Sequence, residues 1–359
     1  MNVAAYAAIN KRETVNYVGP INPPPRYRKQ LWSKLRRFMG SQGSFAFFSE
    51  QRLQSIAAEV HARCQDGARL DFFHGFTPWI RTRPKRPYVA WSDCTFRDYV
   101  EIYHRREQFR RDDLERIEQA EGEWLRKADR VLFTSDWAVK RALYHYLLDA
   151  DRVTSIGIFG EVELPCRDTY AGGEEFVFVS TNFEAKGGLV VLKAFHEVRR
   201  AHPGASLIIV GDPLKREVKA GIRCTGFLRK EVSSEYQQFQ QILASARAIV
   251  SATHFDICPL LFVEASYFGC PVISTRRFAI PEIVDHEKTG LLVEYPPDPT
   301  LLARAMCRML EPGDEYSRMR EAAWSKARAM HSRERFEARL RSRLGLATGI
   351  ERTEFVSSR

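Results

Sequence analysis

The chain has no paired-cysteine pattern. Its seven cysteines, at 64, 94, 166, 224, 258, 270 and 307, form no C-x-x-C pair and no even framework. They read as reduced, mostly buried thiols of a cytoplasmic protein rather than as a disulfide scaffold or a zinc site. No run of about 18 apolar residues occurs, so no helical membrane span is expected. The opening MNVAAYAAINKRETVNY has neither the apolar core nor the cleavage site of a secretory leader. There is no G-x-G-x-x-G loop, no His pair at zinc spacing, no internal repeat and no low-complexity tract. The one Asp-x-Asp triplet, DAD at 149–151, precedes RVTSI at a helix-to-strand turn and reads as solvated. Neither a metal nor an organic cofactor is therefore expected.

What is present fits two domains of ordinary size. The 359 residues are 44% hydrophobic and 28% charged, enough for each domain to bury its own core. Net charge is +10 and the pI is near 9.3. Basic residues gather at Arg26, Arg28, Lys29, Lys34, Arg36 and Arg37, and again at Arg81, Arg83, Lys85 and Arg86. Such patches are either a solvated face of an Arg-rich protein or a contact for anionic lipid, worth about 1 kcal/mol per basic residue near a surface. They carry no nucleic-acid motif, and no nucleic-acid partner is expected.

Short apolar runs alternate with amphipathic patterns, the rhythm of a parallel α/β sheet. The first half offers strands at 14–21, 70–77, 87–92, 130–135 and 152–158. Between them, helices are expected at 28–38, 47–65, 97–128 and 136–147. The charged segment 97–128 reads as an exposed helix or helix pair, and Ser135 of FTSDWA as a helix N-cap. The second half restarts with strands at 175–181, 206–212, 225–228 and 247–253 and helices at 188–203, 232–246, 299–311 and 315–345. CRDTYAGGEE, at 166–175, is polar and Gly-rich and reads as a hinge. The boundaries expected are 1–168, 169–330 and a terminal helix with a frayed tail at 331–359.

The most informative stretch is HFDICPLLFVEASYFGCPVISTRRFAIPEIVDHEKTGLLV, residues 254–293. Asp256 falls on a strand-to-helix loop and Glu264 about one turn inside the following helix. Both carboxylates can face the carboxyl ends of a parallel sheet, where such sheets bind ligands. The helix start at Pro259 and Leu260 offers free N–H groups and a positive dipole end for phosphate. A phosphate site framed by two hydroxyl-accepting carboxylates suits a nucleotide-sugar. Lys186, in FEAKGG, precedes Gly187 at another strand-to-helix turn and can meet the same diphosphate.

GCPVIST, IPEIV and TGLLV, in this order after two acids eight positions apart, resemble the donor-binding signature of the retaining family-4 glycosyltransferases, with their glycogen-synthase-like donor domain. The resemblance implies a GT-B architecture, two Rossmann-like domains facing a cleft. It departs at Asp256, where that family has Glu, at Ile257, Cys258 and Pro259, which replace Gly-Phe-Gly, and at Thr181, where an Arg usually grips the diphosphate. It also implies a first strand and Gly-rich loop ahead of the opening helix. VAAYAAINKR reads as that helix, so either the fold begins one element late or the chain is an amino-terminally shortened form, and the amino-terminal domain is expected to lack its first strand; the weaker alternative is that MNVAAY is itself that strand.

The function implied is transfer of a sugar from a nucleoside-diphosphate sugar to an acceptor hydroxyl, with retention. The acceptor is expected to be a glycan or lipid-linked glycan, as in glycolipid or cell-surface polysaccharide synthesis, with peripheral contact at the inner membrane face. Lys186, Gly187, Thr181, Pro259, Leu260 and Glu264 are the donor-binding candidates, with Glu264 on the ribose. Asp256 is a catalytic candidate on the transferred sugar, or equally a helix N-cap. Asp93, after the strand PYVAW, is a second catalytic candidate, or a turn residue. His74 reads first as a core histidine, and Glu282 of IPEIV as a residue fixing its loop or the nucleotide side. The alternative function is a donor-binding, catalytically weak regulatory partner.

Overall fold

The computed structural model describes residues 14–24, 27–38, 41–64, 67–211, 220–345 and 352–357. The expected helix VAAYAAINKR and any strand within residues 1–12 lie outside them. The chain divides into two units, one of Met1–Gly157 with Glu337–Arg359 and one of Ile158–Phe336.

The first unit holds strands β1 (Thr14–Val18), β2 (Leu70–His74), β3 (Tyr88–Ser92), β4 (Arg130–Phe133) and β5 (Val153–Ser155). The second holds β6 (Glu175–Ser180), β7 (Ser206–Gly211), β8 (Ile222–Gly226), β9 (Ala248–Val250), β10 (Val272–Thr275) and β11 (Gly290–Val293). The last strand, β12 (Arg352–Val356), returns to the first unit. Every pairing between these strands is parallel, in the orders β1-β12-β2-β3-β4-β5 and β11-β10-β9-β6-β7-β8. Helices cover the faces of such sheets, so their strands are apolar on both sides. Phe72, Phe73, Val89, Ala90 and Trp91 are accordingly buried in β2 and β3, and Phe176, Val177 and Phe178 in β6.

Several elements differ from the expectations. Within the tail expected to fray, residues 352–356 form a strand: Thr353 to Val356 pair in register with Leu70 to Phe73, while Thr14 to Val18 pair with Arg352 to Val356 on the other side. β12 thus lies between β1 and β2 in the sheet. The units meet in sequence at 157/158 and 336/337 instead of 168/169 and 330/331. The segment 166–175 is no hinge, because Asp168 pairs with Arg320, Tyr170 bonds Tyr316 through its hydroxyl at 2.9 Å and Ala171 N donates to Ala244 O. These contacts fasten it to the second unit. The segment 97–128 forms a helix pair, as one of the two readings had it, Phe96–Tyr103 and Arg111–Arg126, but the second is not wholly exposed and buries Leu114, Ile117, Glu121, Trp124 and Leu125. Likewise 315–345 divides into Asp314–Met330 and Arg333–Leu344 at His331 and Ser332. No described helix is long and apolar enough to cross a membrane.

Removing residues 346–359 leaves β1 and β2 with unpaired facing edges. Amide protection in Leu70–His74 should then collapse while that of Glu175–Ser180 stays, as read by hydrogen exchange. Unchanged protection in Leu70–His74 would show that β12 does not hold this sheet.

Candidate functional site

Two groups of side chains carry the candidate chemistry, one in each unit. In the second unit the chain leaves β6 at Ser180 and turns through residues 181–186 to Gly187, whose φ is +73°. A Cβ at Gly187 would sit 2.1 Å from the carbonyl oxygen of Ala252. Both the left-handed backbone and the close approach therefore require glycine. His254 N donates to Ala185 O at 3.1 Å, so the loop after β6 is held against the loop after β9. That closeness brings Lys186 Nζ into an ion pair with Asp256 Oδ1. The two side chains are 30% and 22% exposed, open enough for a ligand to reach.

Helices Gly188–Ala201 and Leu260–Tyr267 start beside these loops, and no side chain caps either. Gly188 N already donates to Phe183 O, Val190 N to Gly187 O and Phe262 N to Pro259 O, so what the two starts offer an anion is chiefly their positive dipole ends. The N-cap of the second helix is Pro259, which removes the capping role offered for Asp256. Within that helix Glu264 is only 2% exposed. Its Oε1 accepts from Glu161 N at 2.9 Å and from Lys230 Nζ at 2.6 Å. Lys230 Nζ also lies 3.8 Å from Glu161 Oε2 and 5.5 Å over the Phe239 ring. Lys230 was not a sequence candidate. Its signal is a basic residue just past β8, at the ligand-binding end of a strand.

The other candidates in this unit fall as follows. Thr181 is exposed at the start of the first loop, and Pro259 and Leu260 are half-buried at the helix start. Glu282 is exposed in the short helix Ile280–Ile283, and its carbonyl accepts from Lys326 Nζ at 2.9 Å. Ala279 N donates to Ile257 O, so this turn braces the loop that carries Asp256.

The first unit contains a cavity of about 770 Å³ at the carboxyl ends of β2 and β3. His74, Ser92 and Asp93 line it together with aromatic walls from Phe45, Phe48, Tyr99 and Phe109. Phe45 meets Phe96 edge-on at 5.1 Å and lies tilted against Phe109 at 4.9 Å. His74 is half-buried on the cavity wall with its ring edge-on to Trp91 at 5.0 Å, so it is not the enclosed core histidine of the first reading. Asp93 is exposed and accepts from the Ser92 hydroxyl at 3.3 Å. Thr95, not Asp93, caps helix Phe96–Tyr103, in a capping box with Asp98. Burial, helped by Asp93, pushes the Cys94 thiol well up, which disfavours its thiolate. Ser135 caps Asp136–Tyr146 as expected, accepting from Ala138 N at 3.2 Å.

Residues 173–312 match the family model described as glycosyl transferases group 1. The chain is 29% identical over 181 residues to the D-inositol 3-phosphate glycosyltransferase of Corynebacterium jeikeium (strain K411), covering 46% of this chain and 41% of that protein. The match thus spans less than half the length of that relative. Among solved structures, the chain superposes on Anabaena Alr3699/HepE in complex with UDP with a TM-score of 0.61 at 16% identity, covering 82% of each chain. Sucrose-phosphate synthase of Thermosynechococcus elongatus gives 0.60 at 18% identity, covering 83% of this chain and 80% of that one. A point mutant of S. aureus TarM, in complex with Fondaparinux, alpha-GlcNAc-glycerol and UDP, gives 0.60 at 12% identity, covering 83% and 58%. The fold is GT-B.

Beneath the cavity, Glu121 is fully buried and was missed in the sequence. Its carboxyl accepts from the Thr77 hydroxyl and Phe96 N, both at 2.7 Å, and from the Tyr146 hydroxyl at 3.0 Å. Thr77 lines the cavity, so this acid ties the cavity floor to the start of helix Phe96–Tyr103. Burial outweighs the three hydrogen bonds and pushes Glu121 up to about 7 from 4.5. The folded state therefore holds a proton that the unfolded chain releases, and stability falls as pH rises from about 4.5 to about 7. The loss is on the order of 3 kcal/mol. Glu121→Gln should flatten this slope, followed by the emission of Trp79, Trp91 and Trp124 during melting. A wild-type slope of opposite sign across that window would show Glu121 folding as the carboxylate.

Proposed function

We propose that this chain, a GT-B protein whose residues 173–312 match the group 1 glycosyl transferases, moves a sugar from a nucleoside-diphosphate sugar to an acceptor hydroxyl with retention at the anomeric carbon. The Lys186–Asp256 ion pair between two uncapped helix starts is the observation that carries this reading. An arriving diphosphate competes with Asp256 for Lys186 and meets the positive helix ends as well. Asp256, released, is placed to accept from hydroxyls of the transferred sugar. Glu264, held by Lys230 and Glu161 N, presents its carboxylate to ribose hydroxyls. As the glycosidic bond to the diphosphate breaks, Lys186 and the helix dipoles stabilise the leaving group, where most of the rate arises. The acceptor is assigned to the first unit's cavity, whose aromatic walls suit the apolar faces of sugar rings and whose Asp93 and His74 can bond hydroxyls. A glycan or lipid-linked glycan fits that description.

A donor-binding protein without turnover is favoured by one observation. Thr181 supplies a hydroxyl where the resembled family has a guanidinium, so one countercharge on the leaving group is missing. A screen of nucleotide-sugars for donor hydrolysis and transfer separates the two readings: turnover of any donor supports the enzyme, and saturable binding without turnover supports the partner.

Lys186→Ala should weaken nucleoside-diphosphate binding by about 1.5–3 kcal/mol, roughly tenfold or more in Kd. Asp256→Asn should leave free nucleotide affinity unchanged or tighter, because Lys186 loses its competitor, while transfer falls. Glu264→Gln should weaken the free nucleotide. Calorimetry on folded variants measures all three, and an unchanged Kd for Lys186→Ala would remove the diphosphate assignment.

A further inference from the structure

The helix Tyr27–Phe38 presents its large apolar side chains to solvent instead of to a core. Leu31, Trp32, Leu35 and Phe38 are 69%, 64%, 46% and 90% exposed. Their spacing gathers them on one side of the helix. The opposite side carries Ser33, which is buried and donates from its hydroxyl to Ser44 O at 2.6 Å. The helix is thus fastened to the first unit by its polar back, and its apolar stripe is left uncovered. Lys34 and Arg36, both exposed, flank that stripe on its two edges. The sequence adds Arg28, Lys29 and Arg37 to the same helix and no acidic residue.

We propose that this helix docks the protein on an anionic lipid surface. It lies in the plane of the bilayer interface, with Leu31, Trp32, Leu35 and Phe38 among the acyl chains and Lys34 and Arg36 on headgroup phosphates. An apolar stripe edged by basic residues is the pattern of interfacial helices, and Trp is favoured at headgroup depth. Charge selects this occupant over a second copy, since two such helices face to face set Lys34 and Arg36 against like charges with no acid on either helix to answer them. The net charge of +10 acts in the same direction. Lys34 also lines the first unit's cavity, so docking brings that cavity to the lipid. A membrane-borne acceptor is then accessible; this last step rests on the transferase reading, whereas docking does not.

Co-sedimentation of the full chain with vesicles tests the proposal. Vesicles of phosphatidylcholine with phosphatidylglycerol should bind the protein, with a blue shift of tryptophan emission that Trp32→Tyr abolishes, and phosphatidylcholine alone should bind it weakly. Leu31→Ser with Phe38→Ser should lower binding at least tenfold without changing the melting profile or donor hydrolysis in vesicle-free buffer. Lys34→Glu with Arg36→Glu should remove the preference for anionic vesicles. Failure to bind anionic vesicles would overturn the proposal, as would equal binding by the Leu31→Ser/Phe38→Ser variant. Sedimentation as a dimer that this variant converts to monomer would assign the stripe to a second copy instead.

Discussion

The chemistry proposed for the second unit depends on how closely two loops approach. Because Gly187 has no Cβ, the turn after β6 rests on the carbonyl of Ala252, and His254 N closes the gap to Ala185. Lys186 is carried by this contact and finds Asp256, seventy positions later, within ion-pair reach. A larger residue at 187 forces the turn outward, since 2.1 Å to a backbone oxygen leaves no room for adjustment. One absent methyl group thus sets the spacing between a cation and a carboxylate. Both helix starts beside these loops lack a side-chain cap, which leaves their positive dipole ends open to the diphosphate of the proposed donor.

Much of this was legible in the sequence because the features are local. The run from GCPVIST to TGLLV fixes strand, turn and strand in a few residues each, and the eight-position spacing of the acids puts one on the loop and one in the helix. Lys230 was not legible. Its role depends on the end of β8 coming within reach of a helix thirty residues further on, and a lone basic residue announces no such approach. Glu121 was hidden differently. The segment around it is so charged that it reads as solvated, although Leu114, Ile117, Trp124 and Leu125 mark a buried stripe with Glu121 inside it. A charged residue in the apolar stripe of an otherwise polar helix is the signal that composition masks.

Two of the buried acids, Glu264 and Glu121, serve different ends. Glu264 is held by an ammonium and an amide, which keeps a carboxylate aimed at one spot. Glu121 has only neutral donors, Thr77, Phe96 N and Tyr146, and its titration moves toward neutrality. Position in the sheet separates them as well: the first follows a ligand-binding strand end, while the second lies under a cavity floor and joins a loop to a helix. Neutral neighbours suit an acid that can keep its proton.

The strand that sits second in the first unit's sheet is made last. Until residues 352–356 are made, β1 and β2 lack the strand that pairs with both of them. The second unit draws its sheet from one continuous stretch, 158–336, and can close as it is synthesised. Assembly is therefore ordered against the direction of the chain: the unit translated first is completed last, and its growing form carries two open parallel edges that a chaperone or a neighbouring nascent chain can occupy.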